Sequence, residues 1–308
     1  MTAPNGAAST GPALAAGVWG VVVTPFAGST LDVDETSLVR LVAHYEGIGV
    51  AGLTVLGVFG EAATLSLNER REILEAVADT VDLPLVVGVG SLTTHPAVDE
   101  IQLAQEVVGD QLAAVMVQVN SPDPGQLARH LRIVHEITGA AVVVQDYPLV
   151  SGITITAESL RQALAPLDFI AAVKAEAPPT APAIATLTAA LTVPVFGGLG
   201  GIGLLDELAA GAAGAMTGFS FPEGLQACVT AHNDGGYTAA REAFGPYLPL
   251  VNFEQQAGIA LAIRKEILRR RGLIAEPAVR PPARSMPDSL RDQLGRHLAA
   301  TPTPATVR

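Results

Sequence analysis

Eight short apolar runs recur along this chain, each followed by a stretch with helical spacing, and nothing else in the sequence restricts its fold so strongly. The runs lie at residues 19–25, 52–56, 84–88, 113–119, 141–145, 169–174, 193–196 and 213–217. Each is too short for a helix and is bounded by proline, glycine or polar residues, as expected of a strand buried on both faces. Between them, Asp34 heads a helix with Leu38, Leu41, Val42 and Tyr45 on one face, and Ser66-Leu67-Asn68-Glu69 forms a capping box. Pro96 stands where a helix takes its first residue, Leu127, Leu131 and Val134 mark another helix, and Thr156 caps a short one. Strand–helix alternation carried through eight units predicts a (β/α)8 barrel. Beyond Pro222 no convincing strand follows, and the chain reads as about three helices packed beside the barrel. Their strongest apolar stripe is Ile259, Leu261, Ile263, Ile267 and Leu268. The expected organisation is a disordered segment at 1–15, the barrel at 16–224, a helical domain at 225–298 and a loose tail at 299–308.

The chain holds only two lysines, Lys174 and Lys265; arginine supplies nearly all other positive charge. Lys174 closes the sixth apolar run, Phe169-Ile170-Ala171-Ala172-Val173-Lys174. Burial at a strand end strips an ammonium of water and pushes its pKa toward neutrality. A neutral amine is a nucleophile that condenses with a carbonyl to give a Schiff base, chemistry closed to arginine. The competing reading is a strand-end lysine paired with a carboxylate, Glu61 or Glu176.

Charge and composition exclude several other roles. A net charge of -12 and a pI near 4.9 argue against nucleic acid or anionic membranes as partners. The single cysteine, Cys228, rules out an internal disulfide and a cysteine metal cluster. No apolar run reaches roughly 18 residues and the N-terminus lacks a basic, apolar leader, so a cytoplasmic protein is expected. The six histidines do not pair at metal-ligand spacing. There is no P-loop, and Gly197, Gly198, Gly200 and Gly201 have the wrong spacing for a dinucleotide site. Neither a metal nor another cofactor is expected.

In a (β/α)8 barrel, chemistry sits at the C-terminal ends of the strands. That mouth collects Thr24, the 57–61 loop, Gly88, Gly90, Asn120, Ser121, Gln145, Tyr147, Lys174, the 197–201 loop and Thr217. Gly57, Val58, Phe59 and Gly60 offer backbone amides as a carboxylate cradle, or else form an ordinary tight turn. Tyr147 is the one tyrosine at the mouth; its phenol can move protons near a lysine, or it packs beside Pro148. Gln145, Gly198 and Thr217 complete the expected substrate-binding set. Asp146 points opposite to Gln145 and is expected to make a structural hydrogen bond. His95 is the histidine nearest the mouth.

Taken together, Val23-Thr24-Pro25-Phe26, Gly57-Val58-Phe59-Gly60-Glu61 with Ala63-Thr64-Leu65, Gly88-Val89-Gly90, Pro148 with Gly152, Ile170-Ala171-Ala172-Val173-Lys174 and the segment 252–273 resemble the dihydrodipicolinate synthase / N-acetylneuraminate lyase family of class I aldolases. The likeness runs from Gly17 to Pro282. It implies a barrel with a C-terminal helical domain, a homo-oligomer, often a tetramer, and an imine between Lys174 and pyruvate or another 2-oxo acid. The 57–60 loop would then hold the carboxylate. The departures from the family pattern are specific. Val58 and Phe59 replace two loop threonines, Gln145 replaces the acid/base tyrosine, Val150 replaces an arginine that grips a second carboxylate, and residues 120–123 lack the relay tyrosine. Tyr147, two residues beyond Gln145, is on the same side of an extended strand and is the expected substitute. The expected activity is therefore a Schiff-base lyase, aldolase or dehydratase, distinct from standard dihydrodipicolinate synthase. A binding barrel that has lost catalysis is the alternative. A phosphate ester on the seventh and eighth loops is a third reading, weakened by the absence of basic residues there.

Overall fold

Every residue of Ile170–Ala175 is buried, and the same holds for most strand residues in the chain. Such runs are covered on both sides, by one another inside and by helices outside. A computed structural model describes residues 13–302. Its barrel strands are β1 (Gly17–Val21), β2 (Gly52–Val55), β3 (Leu85–Gly88), β4 (Leu112–Gln118), β5 (Val142–Asp146), β6 (Ile170–Ala175), β7 (Val195–Gly197) and β8 (Gly214–Thr217). Each pairs in parallel with the next in sequence, and β8 returns to β1, closing the (β/α)8 barrel that the alternation predicts. Alternate residues divide the core. Trp19, Val21, Val86, Met116, Val143, Phe196 and Met216 fill the interior, while Val18, Leu53, Val55, Leu85 and Val87 face the helices. Close approach of backbones needs Gly88, where a Cβ would strike the carbonyl of Leu56.

The main helices between the strands, besides the single turn Pro148–Ser151, are α1 (Glu35–Gly47), α2 (Leu67–Ala78), α3 (Thr94–Val108), α4 (Pro124–Thr138), α5 (Ala157–Leu164), α6 (Thr180–Thr188) and α7 (Leu204–Ala209). Local chemistry starts them. Asp34 accepts the Ser37 amide, Ser66 and Glu69 complete their capping box, and Thr156 accepts the Ser159 amide. Pro96 is not the first residue of α3 but lies inside its first turn, where a missing N–H leaves no bond unmade. The first strand ends at Val21 rather than at Pro25, and the seventh is Val195–Gly197 rather than 193–196.

Four helices follow: α8 (Pro222–Phe244, broken at Gly236), α9 (Leu248–Glu254), α10 (Ala260–Arg270) and α11 (Arg291–Ala300). α8 lies against β1 and β8. α10 buries Ile263, Ile267 and Leu268 as expected, but also Arg264, Lys265 and Glu266, while Ile259 and Leu261 are only half-buried. Lys265 is fully buried and pairs with Glu61, tying the loop after β2 to α10. One apolar cluster runs from Val18 in the barrel to Leu294 in α11. At the other end of the barrel, Leu14 is buried and its amide donates to the carbonyl of Ala171 (3.2 Å), so residues 13–15 are not the loose segment expected. The expected tail at 299–308 is likewise corrected at its start, where α11 continues to Ala300 and Thr301 is buried. The rest of both terminal segments, 1–12 and 303–308, lies outside the described residues. Among the described residues no helix is long and apolar enough to cross a membrane.

Candidate active site

Lys174 sits near the C-terminal end of β6, opposite Gln145 on β5 and Phe196 on β7. Its side chain is 6% exposed, and its Nζ lies 3.1 Å from the carboxylate of Glu176. The two residues are two apart in extended chain, so they share a face. Glu176 is held from both sides. The Gln145 amide nitrogen donates to one oxygen (2.7 Å) and the Leu199 N–H donates to the other (3.1 Å). The carboxylate partner that the sequence left open is therefore Glu176, because Glu61 is already engaged by Lys265. A cavity of about 330 Å³ opens beside the amine, so pairing does not close the site.

Gly57, Val58, Phe59, Gln145, Tyr147 and Thr217 all line this cavity with Lys174. Residues Val58–Gly60 form a single 3-10 turn. Gly60 and Glu61 donate their amides back to Gly57 and Val58 (3.0 and 3.1 Å), closing the turn. The amides of Val58 and Phe59, at its start, have no acceptor among the described residues, as first-turn amides do. The Thr217 hydroxyl accepts the Gly200 N–H (2.7 Å), which leaves its own proton free to donate toward the cavity.

Two expected binding residues are not on the wall. Gly60 is turned away, its carbonyl accepting the Thr24 hydroxyl (2.7 Å). Gly198 stands behind Glu176, where any side chain would collide with that carboxylate; its role is to leave room. His95 is exposed on α3 and does not reach the cavity. Asp146 points away from the cavity as expected, into a groove with Ile155 and Pro179, but its Oδ1 is buried with no hydrogen-bond partner among the described residues. The structural hydrogen bond expected of it is absent because no donor of the groove reaches it.

The electrostatics separate the acids at this rim. Burial, then the charge of Glu176, raise the Tyr147 phenol above its ordinary value, so it stays a proton donor. Burial, then Glu176 again, push Asp146 up to about 6. Behind β7, burial pushes Glu207 up to about 7 against the hydrogen bond from Thr180 (2.7 Å), and Glu176 adds to the rise. Among the described residues no group of three or more metal-ligating side chains converges.

The sequence reading named Glu176 only as a partner and missed Arg264 and Gln255, both on the cavity wall. Arg264 descends from α10 and donates through Nε to Glu254 (2.8 Å), with its guanidinium 4.9 Å from the centre of the Phe59 ring. Glu254 is fully buried and also accepts the Ser220 hydroxyl. A signal was present: Arg264-Lys265-Glu266 interrupts the apolar face of an amphipathic helix.

Comparison with known proteins agrees with the (β/α)8 fold. A model of the dihydrodipicolinate synthetase family matches residues 14–301. The L-2-keto-3-deoxyarabonate dehydratase of Azospirillum brasilense is 32% identical over 295 residues, covering 90% of this chain and 92% of that one. The 4-hydroxy-tetrahydrodipicolinate synthase of Corynebacterium diphtheriae is 30% identical over 301 residues, covering 95% and 96%. Among solved structures, dihydrodipicolinate synthase from Rhodopseudomonas palustris superposes with a TM-score of 0.84 at 30% identity, covering 93% of this chain and 97% of that one.

Proposed function

The chain belongs to the dihydrodipicolinate synthetase family, as a class I aldolase-type lyase, and from that premise we propose that it dehydrates a 2-oxo acid through an imine at Lys174. The observation that carries this reading is the Lys174 amine, buried on a cavity wall beside a carboxylate at 3.1 Å. The free amides of Val58 and Phe59 hold the substrate's carboxylate, and the Thr217 hydroxyl adds a donor. Glu176 takes the proton that the amine sheds as it attacks the ketone. The resulting carbinolamine loses its hydroxyl as water, leaving an iminium. Glu176, having returned its proton to the departing hydroxyl, then removes a C3 proton, and the iminium accepts the released electron pair to give an enamine. The enamine then expels a C4 hydroxyl as water, with Glu176 or Tyr147 supplying the proton, and addition of water to the resulting conjugated iminium releases the dehydrated 2-oxo acid and restores the Lys174 amine.

The dehydratase name of a relative aligned over nine-tenths of this chain supports C–O over C–C cleavage. Val58 and Phe59 in place of loop hydroxyls, and Gln145 in place of a tyrosine, argue for a reaction other than standard dihydrodipicolinate synthesis. A homo-oligomer in the cytoplasm is part of the same reading, and light scattering checks the assembly.

The test is borohydride trapping with pyruvate and with 2-oxo-3-deoxy sugar acids, read by mass spectrometry. We expect an adduct on Lys174, none in Lys174→Ala, and adduct formation slowed roughly 100-fold in Glu176→Gln, as for loss of a general base. If no 2-oxo acid ever traps, the reading fails. The missing hydroxyls favour a second reading, a barrel that binds a carboxylate ligand without turnover. Ligand-induced stabilisation without trapping would select it.

A further inference from the structure

A buried arginine usually commits its whole fork to its ionic partner. Arg264 does not. It is 7% exposed, yet only Nε reaches Glu254, and among the described residues neither Nη nitrogen has an acceptor. Nη2 is buried outright. Glu254 is completed from elsewhere, by Ser220, so the outer edge of the guanidinium stays uncommitted.

That edge is held in place. The Phe59 ring lies beneath it at 4.9 Å. Gly200, in the left-handed region at φ +66°, presents no side chain, and any Cβ there would strike Arg264 Nη2 and the Gln255 amide. Gln255 is itself anchored on the Leu199 carbonyl (2.7 Å). Arg264 lines the same cavity as Lys174. It stands against the loop after β7, whereas the free amides of Val58 and Phe59 belong to the loop after β2. The cavity thus has anion-holding donors on two separate walls, and a monocarboxylate satisfies only one. A guanidinium N–H donates a stronger, charge-assisted hydrogen bond to a carboxylate than to a neutral hydroxyl.

We propose that Arg264 binds a second carboxylate at the far end of the substrate, so that the substrate is a 2-oxo dicarboxylic acid. This rests on the imine reading above, and the experiment separates the two. Calorimetric titration compares three five-carbon acids differing only at the tail: 2-oxoglutarate, 2-oxopentanoate and 5-hydroxy-2-oxopentanoate. The intact enzyme is expected to bind 2-oxoglutarate roughly 10- to 100-fold tighter than either other acid, the range for a charge-assisted hydrogen-bonded pair. The paired variant Arg264→Gln with Glu254→Gln, which keeps the buried charge balanced, is expected to bring that ratio to about one. Equal affinities in the intact enzyme, preference for the hydroxyl tail, or a ratio that survives in the folded paired variant each overturns the proposal. If circular dichroism shows the variant unfolded, the ratios in the intact enzyme decide. Borohydride trapping on the same samples reports the imine: an adduct without tail preference sinks only the role of Arg264, and tail preference without an adduct sinks only the imine.

Discussion

Asp146 and Gln145 are neighbours, but strand alternation sends one to a groove and the other to Glu176. The groove leaves the Asp146 carboxyl without a partner, so burial and then the Glu176 charge raise it from 3.8 to about 6. A folded value above the unfolded one means that the native state holds the extra proton. The stability this contributes is complete below the unfolded value and is lost as pH rises through the folded one, so the window runs from 3.8 to about 6. Asp146→Asn should therefore stabilise the protein by on the order of 1–3 kcal/mol near pH 8, and give no such gain near pH 4. Urea unfolding at the two pH values checks this. An equal gain at both would show that ionisation is not the cause.

The loop after β2 and helix α10 behave as one unit through Lys265 and Glu61. Both are buried, and Glu61 also accepts the Arg280 amide (2.9 Å) while its own backbone is left-handed at φ +54°. A non-glycine residue there is held by its surroundings, at a cost that the ion pair and the packing offset. Lys265→Met leaves a buried carboxylate with no cation and should destabilise by about 3–5 kcal/mol. Adding Glu61→Gln removes the stranded charge and should recover more than half of that loss. Denaturant midpoints of the single and double variants measure the coupling; strictly additive losses would mean that the pair is not the tie. The same loop carries the amides of Val58 and Phe59, so the single variant should also weaken carboxylate binding.

One apolar cluster passes from the barrel strands through α1, α2 and α8 to Leu294 in α11, and Lys265 crosses the same junction to Glu61 as Arg264 does to the Phe59 ring. Barrel and C-terminal helices should therefore unfold together. Scanning calorimetry is expected to give a single transition whose calorimetric and van't Hoff enthalpies agree. Two resolved transitions would show that the helices are an independent unit. Much of this architecture is legible along the chain. The eight strands, the caps at Asp34, Ser66 and Thr156, and Lys174 at a buried strand end all follow from the length and spacing of short apolar runs and from helical and capping spacings of three to four residues. Those spacings describe neighbours, and neighbours are enough to specify local structure. Which of two carboxylates meets Lys174, why Gly198 lacks a side chain, and how an arginine from α10 comes to stand over Phe59 are different questions. Their answers depend on barrel closure and on the docking of α10. Both are driven by burial of apolar area, which has no preferred direction and leaves no local trace of the polar groups it brings together.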